Sequence, residues 1–268
     1  MTHPKISIVT CSYNQAKFLE KTIRSVLDQG YSNLEYIVID GGSDDGSDDI
    51  LRRYESYLAY WVSEPDQGQT DALIKGFRRA TGDICCWLCS DDLHEQGTLV
   101  EVAEFFRLEP RARVVYGDSM WIDADDNVVA SKREHAYSRF IWMYDHNFIP
   151  QPSTFWRRDL YEEVGGLNPN FDVAMDADLW ARFAEVTKIY HVTRPWSRMR
   201  YYPEQKVRRL RAKSLEEDHI IRARYRPHFP LVDHGLYICA KTLRISRKLL
   251  AGCYGVKPRS PRIPWKSQ

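Results

Sequence analysis

The chain has 268 residues, near the upper end for one domain and ample for a sizeable core, and no eighteen-residue apolar run that could span a membrane. Its 43% hydrophobic and 28% charged composition is that of an ordinary globular protein, and a net charge of +1 gives no reason to expect a nucleic-acid partner. The charge is uneven, because residues from 194 onward hold half of the 38 Lys and Arg but only five of the 37 Asp and Glu. Either that basic tail meets something anionic, such as a phosphate-bearing substrate or a membrane surface, or it is a solvated basic face.

The N-terminus, MTHPKISIVT, turns into a strand pattern almost at once and leaves no room for a signal peptide, so a cytoplasmic chain is expected. Ile6 to Thr10 reads as a buried strand, and Phe18, Leu19, Ile23, Val26 and Leu27 then recur at helical spacing. EYIVID is a second strand; GGSDDGS breaks the chain, and SDDILRRYE resumes as a helix with Ser47 as its expected cap. AYWVS is a third strand, TDALIKGFRRA a helix ending at Gly82, and DICCWLC a fourth strand. Strands alternating with helices at this pitch imply a parallel sheet covered on both faces.

After residue 97 the rhythm changes. A helix from Leu99 to Leu108 leads to VVYGD, and WIDADDNVVA reads as a hairpin turning at Asp126-Asn127. MDADLWARFAE reads as a helix with Asp176 and Asp178 in its first turn; KIYHV and SRMRYY read as two strand pieces, followed by helices around 212–225 and 233–251. The Pro-rich end after Gly255 is expected to be disordered. Cys86 and Cys89 form a CxxC, but within a predicted strand residues three apart face opposite sides, so the cysteines read as reduced structural thiols.

In open α/β sheets the loops at the carboxyl ends of the strands form the ligand crevice. Thr10–Asn14, Asp40–Gly46, Glu64–Gln69 and Ser90–Asp92 all leave such ends. Asp in a loop is often only a turn or cap residue, and that accounts for Asp45, Asp48 and Asp126. It fits Asp91-Asp92 poorly, because adjacent carboxylates repel unless a cation sits between them. Two carboxylates are too few for an all-protein Mg²⁺ or Mn²⁺ cage, and a phosphate-bearing substrate would complete one. The chain has no GxxxxGK[ST], no GxGxxG after the first strand, no HExxH and no GxSxG.

The runs SIVTCSYNQAKFLEKTIRSVLDQ, YSNLEYIVIDGGSDDGS, SEPDQGQTDAL, LCSDD, VVYGD and QPSTFWRR…VGGLNPNFDVAMDADLWARF, in that order over residues 5 to 203, resemble the family-2 glycosyltransferases of the GT-A fold. The resemblance implies an α/β, Rossmann-like, mostly parallel sheet flanked by helices. Residues 1–225 would form the glycosyltransferase domain, and residues 226–268 a C-terminal helical appendage with a Pro-rich tail. It also implies inverting transfer of a sugar from a UDP, GDP or dTDP donor to a hydroxyl of a carbohydrate or lipid-linked acceptor, with Mn²⁺ or Mg²⁺, in surface polysaccharide or glycolipid synthesis.

Carried over by position, Thr10, Ser12, Tyr13 and Asn14 would border the nucleotide, with Asp40, Gly41, Asp44 and Asp66 beside them. Asp91 would hold the metal bridging the diphosphate and Asp92 would support it. Asp176, with Asp178 as the alternative, would be the general base, unless it is only a carboxylate favoured at a helix N-terminus. Trp180 and Arg182 are candidates for sugar contact, although such aromatics also serve as core. The chain departs from the family pattern at Cys89, the first position of the D-x-D motif. It departs again at Leu73 and Ile74, where relatives often place Arg and Asn, and at Tyr202, where many have His. A non-catalytic nucleotide-sugar-binding or assembly protein is the alternative that these departures suggest.

In the tail, Leu236, Leu243, Leu249 and Leu250 alternate with Lys241, Arg244, Arg247 and Lys248. Such a helix would lie on an anionic membrane, on the inner face, or pack against the domain or a second subunit as a homodimer contact.

Overall fold

The computed structural model describes residues 3–226 and 232–253. In chain order the elements are β1 (Ile6–Ser12), α1 (Ala16–Leu27), β2 (Leu34–Asp40), α2 (Ser47–Tyr54), β3 (Tyr60–Ser63), α3 (Gln69–Phe77), β4 (Ile84–Trp87) and β5 (Leu93–His94). There follow α4 (Thr98–Leu108), β6 (Val114–Ile122), β7 (Val128–Lys132), α5 (Arg139–Tyr144), β8 (Thr154–Arg157) and α6 (Arg158–Glu163). The last are α7 (Met175–Val186), β9 (Ile189–Arg200), α8 (Lys206–Arg209), α9 (Arg211–Tyr225) and α10 (Asp233–Leu250). The expected Pro-rich tail after Gly255 lies outside the described residues.

The strands form one 9-stranded sheet in the order β3-β2-β1-β4-β8-β6-β9-β5, with β7 paired to β6. From β3 to β4 every pairing is parallel, as the strand–helix alternation implies. Beyond β4 the sheet is mixed, since β8 runs antiparallel to both β4 and β6 while β9 runs parallel to β6. Two consecutive reversals leave β6 and β9 pointing the same way as β4. Their carboxyl ends therefore share one edge of the sheet.

Both faces of the sheet are covered. Val9, Cys11, Cys85 and Trp87 face a core completed by Leu73, Phe77, Trp142, Trp180, Phe183 and Ile221. Ile6, Ile8, Ile84, Cys86 and Leu88 face the opposite core with Leu19, Ile23, Ile50, Leu99 and Phe106. Alternate side chains of DICCWLC thus go to opposite cores, which is why the run is apolar throughout. Each fully buried aliphatic side chain contributes about 1.5–3 kcal/mol through removal from water. The cysteines of the described residues are free thiols, with Cys11, Cys85 and Cys86 buried.

Four local expectations change. The helix after Gly46 begins at Ser47 itself, and the capping is done by Asp45, whose Oδ1 accepts the Ser47 N–H at 3.1 Å. α3 stops at Phe77, short of Gly82. KIYHV and SRMRYY form one strand, β9, because the register with β6 shifts on both sides of Asp118 and absorbs Pro195, which has no N–H to donate. The fourth strand ends at Trp87, so Cys89 to Asp92 already belong to the loop. The β6–β7 hairpin turns where expected, with Asp126 at φ 70° and Asp123 Oδ1 accepting the Asp125 and Asn127 N–H groups.

Candidate active site

The first two strand-end loops are laced together. Asn14, at φ 52°, donates its N–H to Ser43 Oγ at 2.8 Å and accepts the Asp44 N–H on Oδ1 at 3.1 Å. Asp45 Oδ2 accepts the Ala16 N–H at 2.8 Å. Tyr13 and Asp44 are exposed above this seam. Beside them Gly41 makes a close approach: a Cβ there would lie 2.8 Å from Asp66 Oδ2 and 3.2 Å from the Tyr13 ring. Burial raises the Asp66 carboxyl, which accepts the Gly68 N–H on Oδ1 at 2.7 Å. Tyr13, Gly41 and Asp66 therefore meet where the nucleotide recess is expected.

Two residues assigned to this recess from the sequence face the interior instead. Thr10 is fully buried and shares a 3.0 Å hydrogen bond with the Tyr36 hydroxyl. Asp40 is also fully buried; it accepts the Ser43 N–H and hydroxyl at 2.9 and 2.6 Å and the Ser63 hydroxyl at 2.7 Å. Its carboxylate closes the loop and ties β3 to β2, because the strand register puts Asp40 opposite Ser63. Ser12 is buried and its Oγ has no partner among the described residues. Leu73 lies wholly in the core and Ile74 packs against it, so neither replaces a nucleotide contact.

The turn after β4 is held from two sides. Asp92 N–H bonds Cys89 O at 3.0 Å, and the Thr22 hydroxyl of α1 lies 2.8 Å from Ser90 O and 2.9 Å from Asp92 O. From β9, Arg200 gives its N–H to Asp92 Oδ1 at 2.8 Å and its Nε–H to Asp91 O at 2.9 Å. The buried Arg200 guanidinium also pairs with Asp126 at 2.6 Å, and its charge sits 4.4 Å from the Phe18 ring centre. Tyr202 donates its hydroxyl to Asp91 Oδ2 at 2.9 Å.

One ligand atom each from Cys89, Asp91 and Asp92 lie within 4.8 Å of one another. Burial raises the Asp91 carboxyl, against the Tyr202 hydrogen bond that lowers it. Burial and the neighbouring Asp91 charge push Asp92 well up. A hydrogen bond with Cys11, then burial, push the Cys89 thiol up. Two crowded carboxylates that resist ionisation are the donor set a hard divalent cation satisfies, and the thiol is the misfit member towards Mg²⁺.

Asp176 sits in the first turn of α7, partly exposed, and its Oδ2 accepts Asn147 Nδ2–H at 3.0 Å. Burial raises its carboxyl to about 6, opposed by the Ala177 N–H, by Lys132 and by Asn147. Lys132, at the end of β7, is itself lowered by burial, and both Asp176 and Asp92 bear on its charge.

Asp178 does not share this cleft. It is buried, and Arg182 donates Nε–H and Nη2–H to its Oδ2 at 2.9 and 2.6 Å. Arg182 also donates to the carbonyls of Val164 and Gly166, so it fastens a turn. Trp180 is fully buried and stacks on Trp87 with ring centres 5.6 Å apart, leaving no face for a sugar.

Sequence reasoning missed Asn147, Lys132, Arg200, Lys206 and Glu217. None carried a local signal: Lys132, for one, ends β7, which among the described residues pairs only with β6, and a lysine is common on such an edge. Lys206 follows the Tyr202 segment and donates Nζ–H groups to Gln69 Oε1 at 3.2 Å and Asp172 Oδ1 at 2.6 Å.

The family model described as Glycosyl transferase family 2 matches residues 7–165. The glycosyltransferase Rv1514c of Mycobacterium tuberculosis is 31% identical over 187 residues, spanning 68% of this chain and 70% of the relative. The structure of S. aureus TarS 1–349 in complex with UDP-GlcNAc superposes with a TM-score of 0.67 at 16% identity, covering 94% of this chain and 76% of that one. The mannosyltransferase PcManGT from Pyrobaculum calidifontis, in complex with GDP-Man and Mn²⁺, superposes with a TM-score of 0.64 at 18% identity, covering 96% and 77%. The two structural likenesses place the chain in the GT-A type of α/β fold.

Proposed function

Because the chain belongs to glycosyltransferase family 2, we propose that it is a metal-dependent inverting enzyme that moves a sugar from a nucleotide-diphosphate donor to a hydroxyl of a carbohydrate or lipid-linked acceptor. Residues 1–225 would be the catalytic body, acting in surface polysaccharide or glycolipid synthesis on the cytoplasmic side of a membrane. The observation that carries the reading is the Asp91-Asp92 turn, where one ligand atom each from Cys89, Asp91 and Asp92 lie within 4.8 Å of one another, with the Asp176 carboxylate held separately by Asn147 at 3.0 Å. One acidic centre is poised to take a proton at neutral pH, and the other to hold a cation.

Tyr13, Asn14, Gly41, Asp44 and Asp66 would line the nucleotide, and Ser12 has a hydroxyl to spare beneath them. Asp91 and Asp92 would hold Mn²⁺ or Mg²⁺, which would supply positive charge against the negative charge of a diphosphate leaving group. Asp176 would take the proton of the acceptor hydroxyl, with Asn147 fixing its carboxylate. Attack from the face opposite the leaving group inverts the anomeric centre.

The test is turnover of UDP-, GDP- and dTDP-sugars with Mn²⁺ by wild type, Asp91→Asn and Asp176→Asn. Nucleotide release by wild type and its collapse in both variants are expected. Metal-dependent nucleotide binding without turnover of any donor would favour the non-catalytic reading.

No helix among the described residues is long and apolar enough to cross a membrane. The membrane reading of the appendage, residues 226–268, takes a different form from a basic outer face. Arg244 pairs with Asp145, and Lys248 Nζ lies 2.8 Å from Glu134, so these bases clamp α10 onto the body. Ile238, Ile245, Leu249 and Leu250 are exposed. Residues 234–268 contain no Asp or Glu. An apolar outward stripe in an acid-free basic tail suits an anionic lipid surface. Co-sedimentation with phosphatidylglycerol vesicles, lost in Ile238→Gln/Ile245→Gln/Leu249→Gln, is expected. Self-association without vesicle binding would assign the stripe to a second copy.

A further inference from the structure

We infer that Glu217, on α9, is a positioning residue for Asp176: its carboxylate fills a nest of consecutive backbone N–H groups in the segment that delivers Asp176 to the site. The inference rests on the reading of Asp176 as the base. Glu217 Oε2 accepts the N–H groups of Val173 and Ala174 at 2.8 Å each. The Asp172 N–H lies 3.0 Å from Oε1 and 3.2 Å from Oε2. The side chain is 5% exposed. A carboxylate buried that far is costly unless its oxygens are satisfied, and here the backbone of one short segment does so.

Within that segment the Val173 and Ala174 N–H groups depend on Glu217. The residue before α7, Ala174, has no side chain that caps the helix. Upstream, Phe171 O accepts the Thr70 hydroxyl at 2.6 Å, which ties the segment to α3 on the nucleotide side. Asp172 takes Lys206 at 2.6 Å and Lys213 at 3.0 Å through its carboxylate, leaving its N–H for Glu217. Residues 171–174 are therefore gripped by α3 on one side and α9 on the other, and Asp176 follows two residues later. A misplacement of a reacting group by about 1 Å costs on the order of a hundredfold in rate. A side chain 41 residues downstream of Asp176 thus sets where the proton acceptor stands.

An uncharged side chain of the same shape separates this role from bulk packing. In Glu217→Gln the amide retains one acceptor oxygen but turns N–H groups toward N–H groups. With Mn²⁺ and whichever of UDP-GlcNAc or GDP-mannose the full-length wild type consumes, kcat is expected to fall tenfold or more. The sugar-nucleotide KM should stay within twofold. Hydrogen exchange of amides 172–174 should speed up at least tenfold, while those of β1 and β4 keep their protection. If Glu217→Gln does not fold, Glu217→Asp, which keeps the charge but shortens the reach, carries the same readouts. Unchanged exchange at 172–174, or a raised KM with kcat intact, overturns the anchor. Full activity of Asp176→Asn would instead overturn the base assignment, so the two failures are distinguishable.

Discussion

The Tyr202 hydroxyl donates to Asp91 Oδ2 at 2.9 Å, joining the segment after β9 to the proposed metal-binding turn. Tyr202 is buried, with its ring 5.2 Å from that of Phe18, so the hydroxyl is held in place by packing. The bond favours the ionised carboxylate against the burial that opposes it. Loss of one such bond is worth about 1 kcal/mol, or roughly fivefold in affinity. Tyr202→Phe should therefore weaken Mn²⁺ binding several-fold. Calorimetric titration of both proteins with Mn²⁺ measures this, and equal affinity would contradict it.

Asp176 sets a pH profile. Its carboxyl is raised to about 6 and must be ionised to accept a proton, so kcat/KM should climb as pH rises through 6 and then level. The raised value also has a stability consequence. The folded state holds the proton that the unfolded state releases near 3.8, so the protonated group's advantage is complete below that value. It is lost as pH rises through about 6. Asp176→Asn should then be more stable than wild type at pH 7.5, by on the order of 1–2 kcal/mol after allowing for partial exposure, and no more stable at pH 4. Thermal melts of both proteins across that range decide it.

Glu35 shows the opposite sign. Burial alone would push its carboxyl up, but Lys5 and Ser7 at 2.5 Å each, and the Thr81 N–H and hydroxyl at 2.6 and 2.7 Å, hold it near 2. That stabilisation is present above the ordinary value of 4.5 and lost as pH falls through about 2. Glu35→Gln should cost about 2 kcal/mol at pH 7, discounting for the exposed Lys5, with the difference from wild type shrinking below pH 4. Urea unfolding at pH 7 and pH 3 provides the comparison, and a constant difference would falsify the assignment.

Gly41 tests the nucleotide recess. An added methyl would lie 2.8 Å from Asp66 Oδ2, forcing that side chain into the space beside Tyr13. Overpacking of this kind costs about 1–3 kcal/mol, and here it falls where the nucleotide is proposed to bind. Gly41→Ala should weaken UDP binding with Mn²⁺ by roughly tenfold while the midpoint of unfolding moves by only a few degrees. Equal binding by the variant would remove Gly41 from the recess.

The first four strands, the helices between them and the polar loops at their ends were legible in the sequence, because each depends on periodicity within a dozen residues, whereas β5 and β8 are too short to show one. So was the Asp91-Asp92 pair, because its repulsion is local. Asp40 and Thr10 misled for a physical reason. A carboxylate or hydroxyl at a strand end reads alike whether it faces a ligand or the next loop, and Ser43, Ser63 and Tyr36 claimed these two. Trp180 and Asp178 lie on the same helix as Asp176, yet α7 turns them into the core, where Trp87 and Arg182 wait.

What the chain alone determined is the alternation of strands and helices as far as β4, the long helices that follow, and the carboxylates at their ends. Which carboxylate stays available was decided only by the tertiary structure. Tyr202 reaches Asp91 across 111 residues, Arg200 reaches Asp92 across 108, and Glu217 reaches Ala174 across 43. Hydrogen-bond partners act over about 3 Å, and sequence periodicity has no term for which distant residue arrives at that distance. The reversed strand β8, which sets β6 and β9 parallel to β4, brings Arg200 and Tyr202 to the Asp91-Asp92 turn.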